Sequence, residues 1–345
     1  MKKLFVLGII PFVFWGCITE IDFDLQGESR IVIDGVISNS PGERFIRIRR
    51  TSGFDSLYSP VQATGRILRN GDVWQELFSP AAGTLALRSD ALIQAGNTYQ
   101  LEVETEEGNS YRSEAQMVQP PFRVDSLSFD IVPAELRDNN GNTRFSRLVR
   151  FFAHLDIPIE GRSELYFKWQ FNNIYAFQDR RPITCYLQDP LTRFPATLIR
   201  GRDLQPGNVR VFLASTELNR NFLIRYNVNT ELHMVDLPTF NFYENATRLV
   251  SNQGTLFDEL PGLLEGNVKQ VGEDEESIVL GFVEFSLADT ARLPINRSDF
   301  TFQLQDNCET ATCPPAAPDG SPSPCACADC GDFFGRETEI PPSYW

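Results

Sequence analysis

The sequence holds only two histidines, His154 and His233, among 345 residues. That scarcity leaves little material for a histidine base or a histidine metal centre, and the two fall in different strand-like runs. A nucleophile–base pair built on either would need an orienting carboxylate and a shaped pocket, and no Ser or Cys partner has motif support. No GxSxG, HExxH, P-loop or GxGxxG pattern occurs, so the common hydrolase, zinc-protease and nucleotide-binding signatures are absent. Carboxylates are plentiful, but no spacing singles out a glycosidase pair. Positive charge is short: 31 Lys and Arg stand against 46 Asp and Glu, a formal net charge of −15. A surface this acidic argues against a nucleic-acid partner, which is bound through basic patches. Beyond the first residues no apolar run is long enough to cross a bilayer. These gaps point away from an enzyme, a resident cofactor and a metal.

What is present begins at the N-terminus. Lys2 and Lys3 precede an apolar run from Leu4 to Trp15, followed by Gly16 and Cys17. Charge, a short apolar stretch and a small residue are the layout of a secretory signal peptide, here residues 1–16. The run is shorter than the ~20 residues a spanning helix needs. A cysteine directly after Gly16 resembles the bacterial lipobox, although Phe14 and Trp15 replace its usual Leu and small residue. The resemblance implies lipidation at Cys17, with acyl chains such as palmitate as the membrane anchor. The alternative is a secreted chain with an unmodified cysteine. Residues 17–29 form an acidic tether through Glu20, Asp22 and Asp24. It resembles an export tag for surface lipoproteins of Bacteroidota, or it is a solvated spacer.

Six cysteines remain: Cys185, Cys308, Cys313, Cys325, Cys327 and Cys330. An even number in an exported chain reads as disulfides, with pairings the sequence leaves open. A bridge from the distant Cys185 would staple the tail to the body. Two rivals are a zinc knuckle, for which only one CxxC is present and no histidine is near, and a redox Cys327–Cys330 pair without the usual strand–helix context.

The 345 residues suit two domains at roughly 100–200 residues each. With 42% hydrophobic residues and 27 Phe, both have ample core material. A break at Gln119-Pro120-Pro121 separates residues 30–118 from residues 122–306. The first holds short runs such as Arg30–Ile37, Arg44–Arg50, Gly65–Leu68, Val73–Phe78 and Thr98–Glu104, divided by turn residues. Tyr99, Leu101 and Val103 share one face, the period of two of a half-buried strand. This predicts a small Ig-like or transthyretin-like β-sandwich. The second region has longer strands. Val149, Phe151, Ala153, Leu155 and Ile157 share a face, as do Phe222, Ile224, Tyr226 and Val228. Ile278–Phe285 reads as a buried strand and Phe300–Leu304 as the last one. Phe240, Tyr243, Ala246, Leu249 and Val250 fall at helical spacing after Pro238, predicting one short helix. The fold class expected is therefore mainly β, a sandwich followed by a larger antiparallel domain. Residues 307–345, rich in Pro and Cys, form an irregular tail whose terminal aromatic pair is expected to pack.

Three further patterns carry two readings each. Asp138-Asn139-Asn140-Gly141-Asn142 is a polar turn or a calcium loop, although the EF-hand glycine position is Thr143. Arg47, Arg49 and Arg50 form a basic stripe, either protection for an edge strand or a contact for an anionic ligand or the acidic tether. In the aromatic run Tyr166–Phe177, the face of Phe167, Trp169 and Phe171 is core or a stacking platform.

In order and spacing, several segments resemble one family, the Bacteroidota lipoproteins described as domain of unknown function 4249. They are Ile31–Thr51, with Ile33-Asp34-Gly35 and Ser40-Pro41-Gly42; Gly254–Asp258; Leu264–Val268; Val279–Phe282; Cys327–Cys330; and Pro342–Trp345. The chain departs from the pattern by an insertion at Thr312–Ala326. The resemblance implies a cell-exterior, lipid-anchored outer-membrane protein, accessory to a TonB-dependent receptor in ligand capture or gating. A structural or adhesive envelope protein without a transport role is the alternative. Ser56, Ser126 and Thr290 lie in Asp-Ser/Thr-aliphatic triplets of the kind Bacteroidota glycosylate.

Overall fold

A computed structural model describes residues 29–40, 44–51, 58–137, 141–178, 184–189, 196–251, 264–272, 278–302, 304, 337–338, 340–342 and 345. Its strands are β1 (Ile31–Ile37), β2 (Arg44–Thr51), β3 (Tyr58–Pro60), β4 (Ala63–Arg69), β5 (Asp72–Glu76), β6 (Phe78–Ala81), β7 (Thr84–Ala86), β8 (Thr98–Thr105), β9 (Ser110–Ser113), β10 (Gln116–Met117), β11 (Ser126–Arg137), β12 (Thr143–Ile157), β13 (Tyr166–Phe171), β14 (Asn173–Gln178), β15 (Thr184–Asp189), β16 (Thr197–Arg200), β17 (Gly207–Glu217), β18 (Arg225–Met234), β19 (Val268–Gln270), β20 (Val283–Phe285), β21 (Leu287–Asn296) and β22 (Glu337–Thr338). One helix, α1 (Leu237–Ser251), follows β18. Asp236 caps its start, accepting from the Thr239 N–H at 3.0 Å, and Pro238 sits in the first turn, where its missing N–H costs nothing. Among the described residues no helix is long and apolar enough to cross a membrane.

The first sandwich packs sheet β20-β1-β2-β7-β6 against sheet β19-β9-β8-β4-β5. Its core takes Ile33, Ile46, Ile48, Ile67, Tyr99, Leu101 and Val103, the inward positions of strands with period two. The second packs the three-stranded sheet β11-β12-β17 against sheet β16-β13-β18-β14-β15-β22, with β21 also on β18. The expected face of β12, Val149 to Ile157, is buried throughout and meets Phe167, Trp169 and Leu232, and further along Phe222 and Tyr226.

Several expectations change in space. Val73–Phe78 is broken between β5 and β6. Ile224 does not join Phe222, Tyr226 and Val228: Phe222 ends a 3-10 turn, and Ile224 is 39% exposed before the strand begins. Phe300–Leu304 is not a strand among its described residues; Phe300 follows another 3-10 turn and plugs the second core. The strand in that region is β21, which pairs along all of β18. Residues 268–285 were expected with the second domain. Instead β19 pairs with β9 and β20 runs parallel to β1, so Val268, Val279, Val283 and Phe285 complete the first core. At the chain end, Trp345 packs edge-on to Tyr186 and beneath Arg225; its neighbour Tyr344 lies outside the described residues.

Candidate functional site

The chain passes from one sandwich to the other within two residues. Phe285 pairs with Ile37 of β1, and Leu287 pairs with Met234 of β18. Ser286 is the crossing point. Around it lies a closed polar cluster. Lys168 Nζ donates to Glu284 Oε2 at 2.5 Å, and Ser286 Oγ donates to Glu284 Oε1 at 2.5 Å. His233 Nδ1 lies 2.9 Å from Ser286 Oγ, while Nε2 faces Glu231 at 3.7 Å. Lys168, His233, Glu284 and Ser286 are all 0% exposed. Lys168 and His233 are cross-strand partners on β13 and β18. Alternation along β13 puts Lys168 on the face opposite Trp169, nominally the solvent face. The first sandwich covers that face, so both sides of β18 are buried.

Charges in such a place persist only when paired. Burial alone would raise the Glu284 carboxyl, but the Lys168 ammonium, His233 and the hydrogen bonds from Lys168 and Ser286 hold it below the ordinary carboxylate range. Glu231 behaves alike: burial pushes it up, and hydrogen bonds with His233 and Ser40 bring it down. The geometry also answers whether Ser286 and His233 form a catalytic pair. A nucleophilic serine gives its hydrogen to the histidine base. Here that hydrogen is directed to Glu284 Oε1, which takes it away from Nδ1 of His233. With no exposed area, the hydroxyl offers no face to a substrate.

The crossing segment is also held by side-chain amides standing in for strand neighbours. Asn267 gives Nδ2 to Val283 O at 2.7 Å and takes Val283 N at 2.9 Å. Gln116 bonds Val283 O and Phe285 N at 2.6 and 3.0 Å. Asn39 brackets Ala288 at 2.9 and 2.8 Å. Each amide supplies one donor and one acceptor, as a paired backbone residue does.

Above this seam, Lys168 Nζ sits 4.7 Å from the centre of the Tyr243 ring on α1. The other side of that helix face opens on a cleft of about 310 Å³ between α1 and the outer surface of β1 and β2. Its walls are Phe45, Phe242, Tyr243 and Phe282, with Asp34 and Arg47 at polar positions and Gly35 and Gly281 in its lining. Phe242 and Phe282 stack at 4.3 Å between ring centres.

With this geometry in view, the family model described as domain of unknown function (DUF4249) matches residues 18–292. The chain belongs to the DUF4249 family. No curated protein matches it. Seam and cleft both fall within the DUF4249 segment.

Other residues singled out from the DUF4249 sequence are dispersed. His154 is half-buried on the outer face of the three-stranded sheet, 2.8 Å from Ser128 Oγ, remote in sequence pairing from His233. Cys185 is fully buried on β15 beside Phe177 and Leu187 and is disulfide-bonded. Cys17, Ser56, Cys308, Cys313, Cys325, Cys327 and Cys330 lie outside the described residues, as do Gly254–Asp258 and most of the tether. Ser126 and Thr290 are both exposed, on β11 and β21. Asp289, of the Thr290 triplet, accepts from the Val124 N–H at 2.7 Å and so ties down the segment entering β11. Asp138–Asn140 lies outside the described residues; the flanking Arg137 and Thr143 are paired. Among the described residues no three His, Cys, Asp or Glu come together as metal ligands. Phe167 and Trp169 are core at 0% exposure, not a platform. The arginine stripe is not edge protection either: β2 lies between β1 on one side and β7 and β3 on the other.

The residues that sequence reasoning passed over are Lys168, Glu231, Glu284 and Ser286. A signal existed. Lys168 is the one cation in the aromatic run Tyr166–Phe177, and Glu284 the one carboxylate in the apolar run Ile278–Phe285.

A half-buried carboxyl behaves oppositely. Asp189 accepts from Tyr226 Oη at 2.9 Å, yet burial outweighs the hydrogen bonds from Tyr226 and Asn221 and raises its carboxyl. An acid raised in the folded state costs stability once pH exceeds its unfolded value of about 3.9. Asp189→Asn is therefore expected to be more stable than the parent at pH 7, with the gain vanishing towards pH 4. Urea midpoints at both pH values check this, and a less stable variant at pH 7 contradicts it.

Proposed function

We propose that the protein is a non-catalytic lipoprotein of the outer-membrane surface, anchored through Cys17, that serves a TonB-dependent receptor in ligand capture or gating. The observation that carries the non-catalytic part is the shut-in Ser286–His233–Glu284 cluster. The grouping most like a catalytic one spends its hydrogen bonds on joining two sandwiches. A joint of this kind supports a protein that presents surfaces in a fixed relation. The N-terminal layout ending in Gly16-Cys17 and the acids Glu20, Asp22 and Asp24 support anchoring and export. Membership in the DUF4249 family is compatible with the reading and assigns no activity.

One observation favours the alternative of a structural or adhesive envelope protein. The β11–β12 ribbon extends past its last pairing with β17, at Leu148, and carries Phe145 at 84% exposure. A two-stranded ribbon with an exposed aromatic is suited to docking.

A mild-detergent pull-down of the lipidated chain from its native envelope separates the two. A stoichiometric barrel receptor among the recovered partners is the expected result. Recovery alone, or with adhesion and secretion components only, overturns the receptor reading in favour of the structural one.

A further inference from the structure

The stripe Arg47, Arg49 and Arg50 needs an account once β2 proves to be an interior strand. Two of its members have one. Arg49 donates to Asp34 Oδ1 at 2.6 Å and lies over the Tyr58 ring, and Arg50 donates to Glu107 at 2.6 Å. The Arg47 side chain makes no hydrogen bond or ion pair among the described residues, and it lines the aromatic cleft beneath α1. The carboxylate beside it, Asp34, is already neutralised by Arg49, and Glu244, next along α1 from Tyr243, is engaged by Arg200 at 2.7 Å. The buried Glu284 below is matched by Lys168. Among the described residues the cleft therefore carries one uncompensated positive charge, within a chain of net charge −15.

The walls define the rest of the ligand. Phe45, 40% exposed, lines the same cleft as the stacked Phe242 and Phe282, and these aromatic surfaces suit a flat apolar body. The volume, about 310 Å³, sits at the small end of the range for small-molecule sites. A guanidinium favours a planar oxyanion, which it grips with two parallel N–H bonds. We propose that this cleft binds a small amphipathic carboxylate, its anionic head on Arg47 and its flat apolar body between Phe45 and the Phe242–Phe282 pair.

The proposal deepens the ligand-capture reading but needs no receptor, so it is tested on the isolated full chain. Isothermal titration would compare 2-naphthoate with 2-naphthamide, which share shape and differ in charge. The carboxylate is expected to bind about tenfold more tightly. Arg47→Gln should abolish that difference, and Phe45→Ala should weaken both probes; Arg47 and Phe45 are exposed, so neither change threatens folding. Equal binding of the two probes, no binding of either, or indifference to Arg47→Gln overturns the proposal. Combined Glu20→Gln, Asp22→Asn and Asp24→Asn in the full chain tests the rival occupant. Unchanged affinity is expected, and 2-naphthoate binding seen only in that variant assigns the cleft to the acidic tether instead. A failed pull-down leaves this result untouched, and a failed titration leaves the receptor reading untouched.

Discussion

Lys168→Met is expected to lower the free energy of unfolding by about 3–5 kcal/mol at pH 7, because it strands the Glu284 carboxylate at a position with no solvent exposure. Urea denaturation with a common slope measures it. The pH dependence gives a second, sharper signature. In the parent, the Glu284 carboxyl lies below its unfolded range. Its contribution is thus present in full above the unfolded value near ~4.3 and is lost as pH falls through the lower folded value. In Lys168→Met the main opposing charge is gone and burial pushes the carboxyl up, so acidification relieves the variant by protonating Glu284. Parent and variant should therefore converge as pH falls. A double variant, Lys168→Met with Glu284→Leu, should recover most of the loss, since a buried pair replaced by apolar residues of like volume is often neutral. A single variant within about 1 kcal/mol of the parent at pH 7 would mean that water reaches the pair.

Gly281→Ala is expected to cost roughly 3 kcal/mol or more, from backbone strain and overpacking together. Gly281 has φ +93°, and an added Cβ would meet the backbone of Ile33, whose N–H donates to Leu280 O at 2.9 Å. Backbone of the neighbouring strand has nowhere to move without breaking the parallel contact between β1 and β20. Gly108 is the internal control. Its φ is +86°, but nothing lies within 4 Å of an added Cβ. Gly108→Ala should cost only the strain, about 1–2 kcal/mol. The difference between the two variants isolates packing at the joint. Hydrogen exchange of the Gly35 amide, which donates to Phe282 O at 3.0 Å, should rise in Gly281→Ala alone. Equal costs for the two substitutions would show that the joint is slack.

Much of the fold is legible in residue order because side-chain direction along a strand alternates without reference to anything else. That is why Tyr99, Leu101 and Val103, and Val149 through Ile157, face the cores as their spacing implies. The helix is legible for the same local reason: Asp236 and Pro238 start it and Phe240 is buried at its foot. The arginine stripe shows where that reasoning ends, since whether β2 is an edge depends on β3 and β7, and only tertiary pairing places those beside it.

The pairing of charges at the site lies on the tertiary side of that line. Alternation says which face of β13 Lys168 occupies, but not that a second sandwich will cover that face. Lys168 and Glu284 are 116 residues apart, and nothing local to either specifies the other. The short strands β19 and β20, three residues each, hold too few alternations to declare an allegiance; pairing with β9 decides it for β19, and pairing with β1 plus amides from Gln116 and Asn267 for β20. By itself, then, the sequence determined a β-rich chain with an acidic surface, its family and the residues available for chemistry. Only the packing of one sandwich on another decided which charges are buried together, which histidine is shut in, and which of three arginines is left facing a cleft. Strand periodicity is a local property of the backbone, whereas burial and charge pairing are set by whatever distant segment comes to lie against it.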